Sequence, residues 1–118
     1  MSAPDPDAYL PLKPAVFHIL LALLDGERHG WALLRELEAH PDAGRVLPGN
    51  LYRTLRDLAR AGLIEETQQR PDPELDDQRR RYFAVTGHGR SVAAAEARRL
   101  ERMVAAARAR RLLGGRQA

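Results

Sequence analysis

From Pro14 onward, Val16, Phe17, Leu20, Leu21, Leu23 and Leu24 recur at intervals of three to four positions, the period of a helix. Proline suits the first position of a helix, so the pattern predicts one running from Pro14 to the Asp25-Gly26 pair. This helix is apolar over most of its circumference, and such a helix is covered on more than one side. In a short chain that points to a second subunit, met through positions such as Val16 and Leu20, as well as to the chain's own core. A second helix is expected from about Gly30 to His40, with Leu33, Leu34 and Leu37 inward and Pro41 as its stop. After the turn-forming stretch Pro41 to Gly49, a third helix is expected from near Gly49 to Arg60, with Leu51, Leu55 and Leu58 on one side and Gly62 as terminator.

The period changes after Gly62. Leu63 to Gln69 is short and β-compatible, and Arg79 to Thr86 alternates Arg81, Phe83 and Val85 with Arg80, Tyr82 and Ala84, the two-residue period of a strand. The polar segment Arg70 to Gln78 between them, with Pro71 and Pro73, reads as a hairpin loop. Thr86 is placed to cap a last helix running to about Leu113. In it Ala93, Ala97, Leu100, Val104 and Ala107 are spaced 4, 3, 4, 3, the seam of a helix that pairs with another helix. The expected fold is mainly α with a small β-hairpin wing: a winged helix-turn-helix plus a long C-terminal dimerisation helix. Residues 1–11 read as a flexible tail, 12–86 as the DNA-binding domain, 87–113 as the dimerisation helix and 114–118 as a second flexible tail.

Composition narrows the function. With 118 residues, 44% hydrophobic and 30% charged, the chain is one ordinary globular domain. The absence of cysteine excludes disulfide scaffolds and thiolate metal sites. The apolar run Ala15 to Leu24 is about half the ~20 residues of a membrane span, and the first twelve residues carry no signal-peptide pattern. A cytoplasmic protein with no membrane partner is expected. The net charge is only +3, but its distribution is uneven. Arg45 to Ala61 carries four arginines against Asp57, Arg98 to Arg116 carries seven against Glu101, and Pro71 to Asp77 holds four acids and no base. All basic residues but Lys13 are arginine, whose planar fork grips phosphate and guanine edges in pairs of hydrogen bonds.

At about 100° per residue, Asn50, Arg53, Asp57 and Arg60 fall in one arc of the third helix, with Arg56 beside it, opposite the three leucines. Asn50 and Arg53, near the helix start, are the candidate base readers; Arg56 and Arg60 are candidate phosphate contacts. Thr54 belongs to the same candidate DNA surface. Tyr52 flanks the arc, where its phenol either donates to a phosphate or packs at the core edge. Trp31 borders the inward stripe of the second helix, as a core-edge residue or as a contact for an effector or DNA. Arg79, Arg80 and Arg81 stand at the base of the second wing strand, placed for phosphate or minor-groove contact. The acidic segment Asp72 to Asp77 would be repelled by DNA. Catalytic patterns are poor: two serines, no nucleophile elbow, no phosphate-binding glycine loop, and four histidines without ligand spacing. No enzyme activity, metal or cofactor is expected.

The runs Pro14-Ala-Val-Phe-His-Ile-Leu-Leu-Ala-Leu, His29-Gly-Trp-Ala-Leu33, Pro48-Gly-Asn-Leu-Tyr-Arg-Thr-Leu55, Ala61-Gly-Leu-Ile-Glu65 and Arg81-Tyr-Phe-Ala-Val-Thr86 with Gly89-Arg90 together resemble the PadR family of bacterial transcriptional regulators, named for phenolic-acid responses. The resemblance spans about Leu12 to Leu113. It implies a winged-helix repressor, homodimeric through its C-terminal helices, that binds a palindromic operator in double-stranded DNA. It also implies that Asn50, Tyr52 and the basic residues before Tyr82 contact DNA. Family members more often carry Thr at position 50 and Pro at position 53; Arg53 adds charge to the reading face. The single long last helix looks like the shorter of the family's two layouts. Some relatives hold flat aromatic ligands between aromatic side chains at the dimer centre, and the last helix here has no aromatic residue. A small-molecule effector of another kind stays open, as does a winged-helix module that pairs with another protein and no longer binds operator DNA.

Overall fold

The computed structural model describes residues 4–67 and 81–114. Three helices form the body: α1 (Pro14–Leu24), α2 (Gly30–Glu38) and α3 (Pro48–Arg60). Pro14 and Pro48 each sit in the first turn of their helix. Strands β1 (Arg28–His29), β2 (Ile64–Thr67) and β3 (Tyr82–Val85) form an antiparallel sheet in the order β1-β3-β2, and α4 (Gly87–Ala109) follows. The hairpin expected from sequence is therefore a three-stranded sheet. Arg28 pairs with Phe83 and His29 with Tyr82 on one edge of β3, while Ile64 to Thr67 pair with Val85 to Tyr82 on the other. The expected hairpin loop, Arg70 to Gln78, lies outside the described residues.

The core is built from the predicted stripes. Leu20, Leu33, Leu51, Leu55 and Val92 are within one per cent of complete burial, and Ile19, Leu37, Leu63, Ile64 and Phe83 close around them. Leu20 faces this core with no surface to offer a second chain, so its expected place in a subunit contact is corrected: it is an intrachain core residue. Ala93 is corrected in the same way, because the first half of α4 lies against α1 and buries Val92, Ala93 and Ala95.

Local chemistry fixes the junctions. After α3, the Leu63 amide donates to Leu58 O at 3.0 Å and the Gly62 amide to Ala59 O at 3.0 Å, the paired bonds of a glycine-terminated helix. Gly62 has φ +81°, which its missing Cβ permits. The Thr86 hydroxyl donates to Gly62 O at 2.6 Å and accepts from the Gly89 amide at 3.0 Å. One side chain thus caps α4 and ties it to the end of α3.

The N-terminal segment is not the tail that its prolines and aspartates suggest. Pro6–Tyr9 forms a 3₁₀ turn against α4. The Tyr9 hydroxyl is 3.1 Å from His88 Nε2, with the rings edge-on. Glu96 on α4 is buried, accepts two Arg99 bonds of 2.7 and 2.8 Å, and accepts from the Leu12 backbone. The Arg99 hydrogen bonds hold the Glu96 carboxyl below its ordinary value of 4.5; burial opposes them and the Leu12 amide adds to them. The folded state therefore favours ionised Glu96. That contribution is complete above the unfolded value and is lost as pH falls through the lower folded value. Urea melts of wild type and Glu96→Gln should show a stability gap that is constant near neutrality and closes as pH drops below about 4.5. A gap that stays constant through the acid range would remove the ion pair from the account.

Candidate nucleic-acid interface

On α3, Leu51, Leu55 and Leu58 are buried, while Asn50, Arg53, Arg56, Asp57 and Arg60 are exposed and Tyr52 and Thr54 are half-buried. The helix carries its apolar stripe into the core and its cationic arc outward, the arrangement required of a helix that enters the DNA major groove. A groove of about 440 Å³ runs between this helix and the sheet, bounded by Tyr52, Arg53 and Arg56 on α3, by Glu66 and Phe83 on the strands and by Arg81 just before β3. Tyr52, Arg53 and Arg56 are thus brought to the wing side of the arc. Asn50, Thr54 and Arg60 do not line the groove. Arg79 and Arg80 lie outside the described residues.

Arg81 joins the candidate surface from the wing side. It stands just before β3, lines the groove with Arg53 and Arg56 of α3, and its guanidinium is 3.7 Å from Glu66. The signal was its alternation with Phe83 and Val85.

Gly30 holds the two helices of the pair together. A Cβ at this position would overlap the Tyr52 hydroxyl and ring, so a larger residue here would displace the Tyr52 side chain from its place over α2. The Gly30 amide donates to Arg81 O at 3.2 Å. Preceding it, His29 Nδ1 accepts from the Ala32 amide at 3.1 Å and caps α2, while its ring stands edge-on to Tyr82. No ordinary capping residue announced this end. Thr67 on β2 donates to Glu27 at 2.5 Å. The start of α2, the middle of α3 and the base of the wing therefore meet around Gly30, Tyr52 and Arg81.

The expected pairing seam divides in two. Ala93 is buried within the chain, whereas Ala97 and Val104 are exposed and Leu100 and Ala107 half-exposed. Val16 is half-buried beside the core. Beyond the point where α4 leaves the body, Met103 is 56% and Val104 43% exposed, an uncovered apolar stripe in phase with the buried one. Among the described residues no helix is long and apolar enough to cross a membrane, and no three His, Cys, Asp or Glu side chains are grouped to hold a metal. His18 and His40 stack at 4.6 Å, with His40 Nε2 3.0 Å from Glu36.

The family profile described as "Transcriptional regulator PadR-like family" matches residues 19–95. Transcriptional regulator Rv3488 of Mycobacterium tuberculosis is 38% identical over 98 residues, which cover 83% of this chain and 81% of that protein. Among solved structures, RosR of H. salinarum is similar at 27% identity and TM-score 0.60, covering 86% of this chain and 97% of that one. A PadR family transcription regulator from Clostridium difficile R20291 shares the fold at TM-score 0.67 and 16% identity, covering 85% and 98%.

Proposed function

The chain belongs to the PadR-like family of transcriptional regulators, and from that premise we propose that it is a homodimeric repressor that binds a palindromic operator through α3. One observation carries the reading: Arg53 and Arg56 stand exposed on the side of α3 away from its buried leucines and share a groove with Arg81, just before β3. A cationic helix face beside Arg81, which leads into β3, suits a duplex, with α3 in the major groove and the wing against an adjacent phosphate strand. In the two-fold dimer the same surface is presented twice, so the operator has mirrored half-sites about one helical turn, or ~34 Å, apart. The family is one of regulators, and binding rather than catalysis is the activity assigned here.

The test selects bound fragments from a random duplex library and then titrates the enriched duplex with salt. Enrichment of an inverted repeat is expected, with log K falling linearly in log salt at about 0.9 per phosphate contact. No enrichment and a flat salt profile would instead favour a winged-helix module that pairs with protein.

A further inference from the structure

We propose that His29 is a pH-sensitive latch on the helix-turn-helix pair: its neutral ring caps α2 and holds the pair in its DNA-binding arrangement, and its protonated ring releases it. The proposal rests on the operator-binding reading above and adds to it a means of control. Serine, threonine, aspartate and asparagine are the usual N-cap residues, and their oxygens accept throughout the neutral range. Here the acceptor is His29 Nδ1, 3.1 Å from the amide of Ala32, the third residue of α2. A ring nitrogen accepts only while it carries no proton, so this bond exists only with the neutral imidazole that is protonated at Nε2. Unlike the usual caps, histidine gains a charge between about pH 8 and 5.

Protonation turns this acceptor into a second donor aimed at the Ala32 amide. It also puts a positive charge at a helix N-terminus, where the peptide dipoles already present their positive ends. Three guanidiniums stand around the ring. Arg28 precedes it on β1, Arg35 of α2 lines one hollow with it, and Arg81, whose guanidinium is 3.7 Å from Glu66, supplies the carbonyl that the Gly30 amide binds. The opposing charge beside it in the chain is Glu27, whose carboxylate accepts the Thr67 hydroxyl at 2.5 Å. Two phenols complete the surroundings: Tyr82 on β3 meets the imidazole edge-on with centroids 5.5 Å apart, and Tyr52 on α3 covers Gly30. When the ring swings out, the first turn of α2 loses its cap and the ring contact with Tyr82 is broken. The start of α2, the middle of α3 and the wing base meet at this corner, so its loosening costs the α3 arc and Arg81 their common fit to one duplex. The direction is diagnostic. An imidazole that touched DNA would strengthen binding as it gained charge, through attraction to phosphate, whereas a protonated cap weakens it.

The full-length protein, with nitrogen-labelled histidines, is titrated from about pH 8 to about pH 5.5 at constant ionic strength. Affinity for the selected duplex is followed by the anisotropy of a labelled DNA. At the alkaline end the His29 nitrogen spectrum should show a proton on Nε2 and none on Nδ1. On acidification the emission of Trp31, the sole tryptophan and two residues from the ring, should change with the same midpoint as the His29 signal and the loss of affinity. A lost N-cap shifts a helix equilibrium by about two- to thirtyfold, so a fall of about tenfold in affinity is expected. His29→Asn and His29→Asp each supply an oxygen acceptor that persists across this range, and both should flatten the profile; circular dichroism at the alkaline end confirms that they fold. His18, His40 and His88 stay in place in both variants, which assigns the flattening to His29. An affinity that is constant or rises on acidification would overturn this inference and leave the operator reading standing, as would a fall that both variants retain. A proton on Nδ1 at the alkaline end would also overturn it. Absence of binding to any duplex at any pH would overturn both readings.

Discussion

Leu100→Asp is expected to convert the protein to monomers and to abolish operator binding. Leu100 lies where the face of α4 leaves the chain's own core: Val92, Ala93 and Ala95 before it are buried, and Met103 and Val104 after it are exposed. In the proposed dimer a second copy covers this continuation of the stripe. An aspartate there would either lose its water without a partner or hold the helices apart; even an uncharged polar group costs about 2–7 kcal/mol on such transfer. A two-fold interface contains the substitution twice, so the dimer should weaken by well over a hundredfold. Leu100 is half-exposed in the single chain, so the monomer keeps its fold and its circular dichroism. A monomer bridges no pair of half-sites and should retain only weak, salt-sensitive binding. Sedimentation decides the matter: an unchanged dimer mass would move the interface off this seam.

Arg53→Ala is expected to erase the preference at one base pair in each half-site. Arg53 lies one turn into α3, exposed, on the groove side of the cationic arc. From that place its fork can donate to O6 and N7 of guanine, a pairing that discriminates by about 1–3 kcal/mol. Two copies double the effect on an intact palindrome, while affinity for random duplex should change only by the loss of one charge per chain. Binding selections on wild type and variant would show flattened information at two mirrored positions. A uniform loss over all sequences would make Arg53 a phosphate contact and leave Asn50 as the remaining strong candidate for base reading.

The sequence was most informative where a local rule sufficed. The boundaries of α1 and α3 follow from proline, glycine and leucine spacing, and Thr86 caps α4 as its position before Gly87 suggested. The second helix stops at Glu38 rather than His40, and α4 at Ala109 rather than Leu113, because terminal turns fray into other hydrogen bonds that periodicity does not report. The strand β1 was illegible because two residues show no alternation. It exists because β3 has a free edge whose amides and carbonyls need partners, and Arg28 and His29 pass beside it. The N-terminal segment has the composition of a tail, but Tyr9 and Leu12 hold it to His88 and Glu96, partners more than seventy residues away in the chain.

What the sequence determined by itself was the period and phase of each element: four helices, a strand pair, and an α3 with leucines on one side and arginines on the other. Only the tertiary structure decided which neighbour covers each face. It placed Leu20 and Ala93 in the chain's own core, left Val104 bare, brought Arg81 into one groove with Arg53 and left Trp31 open beside the wing base. Hydrophobic periodicity records that a face will be buried, because burial depends on apolar area alone. The identity of the covering surface depends on pairings between distant segments, and no local pattern encodes it.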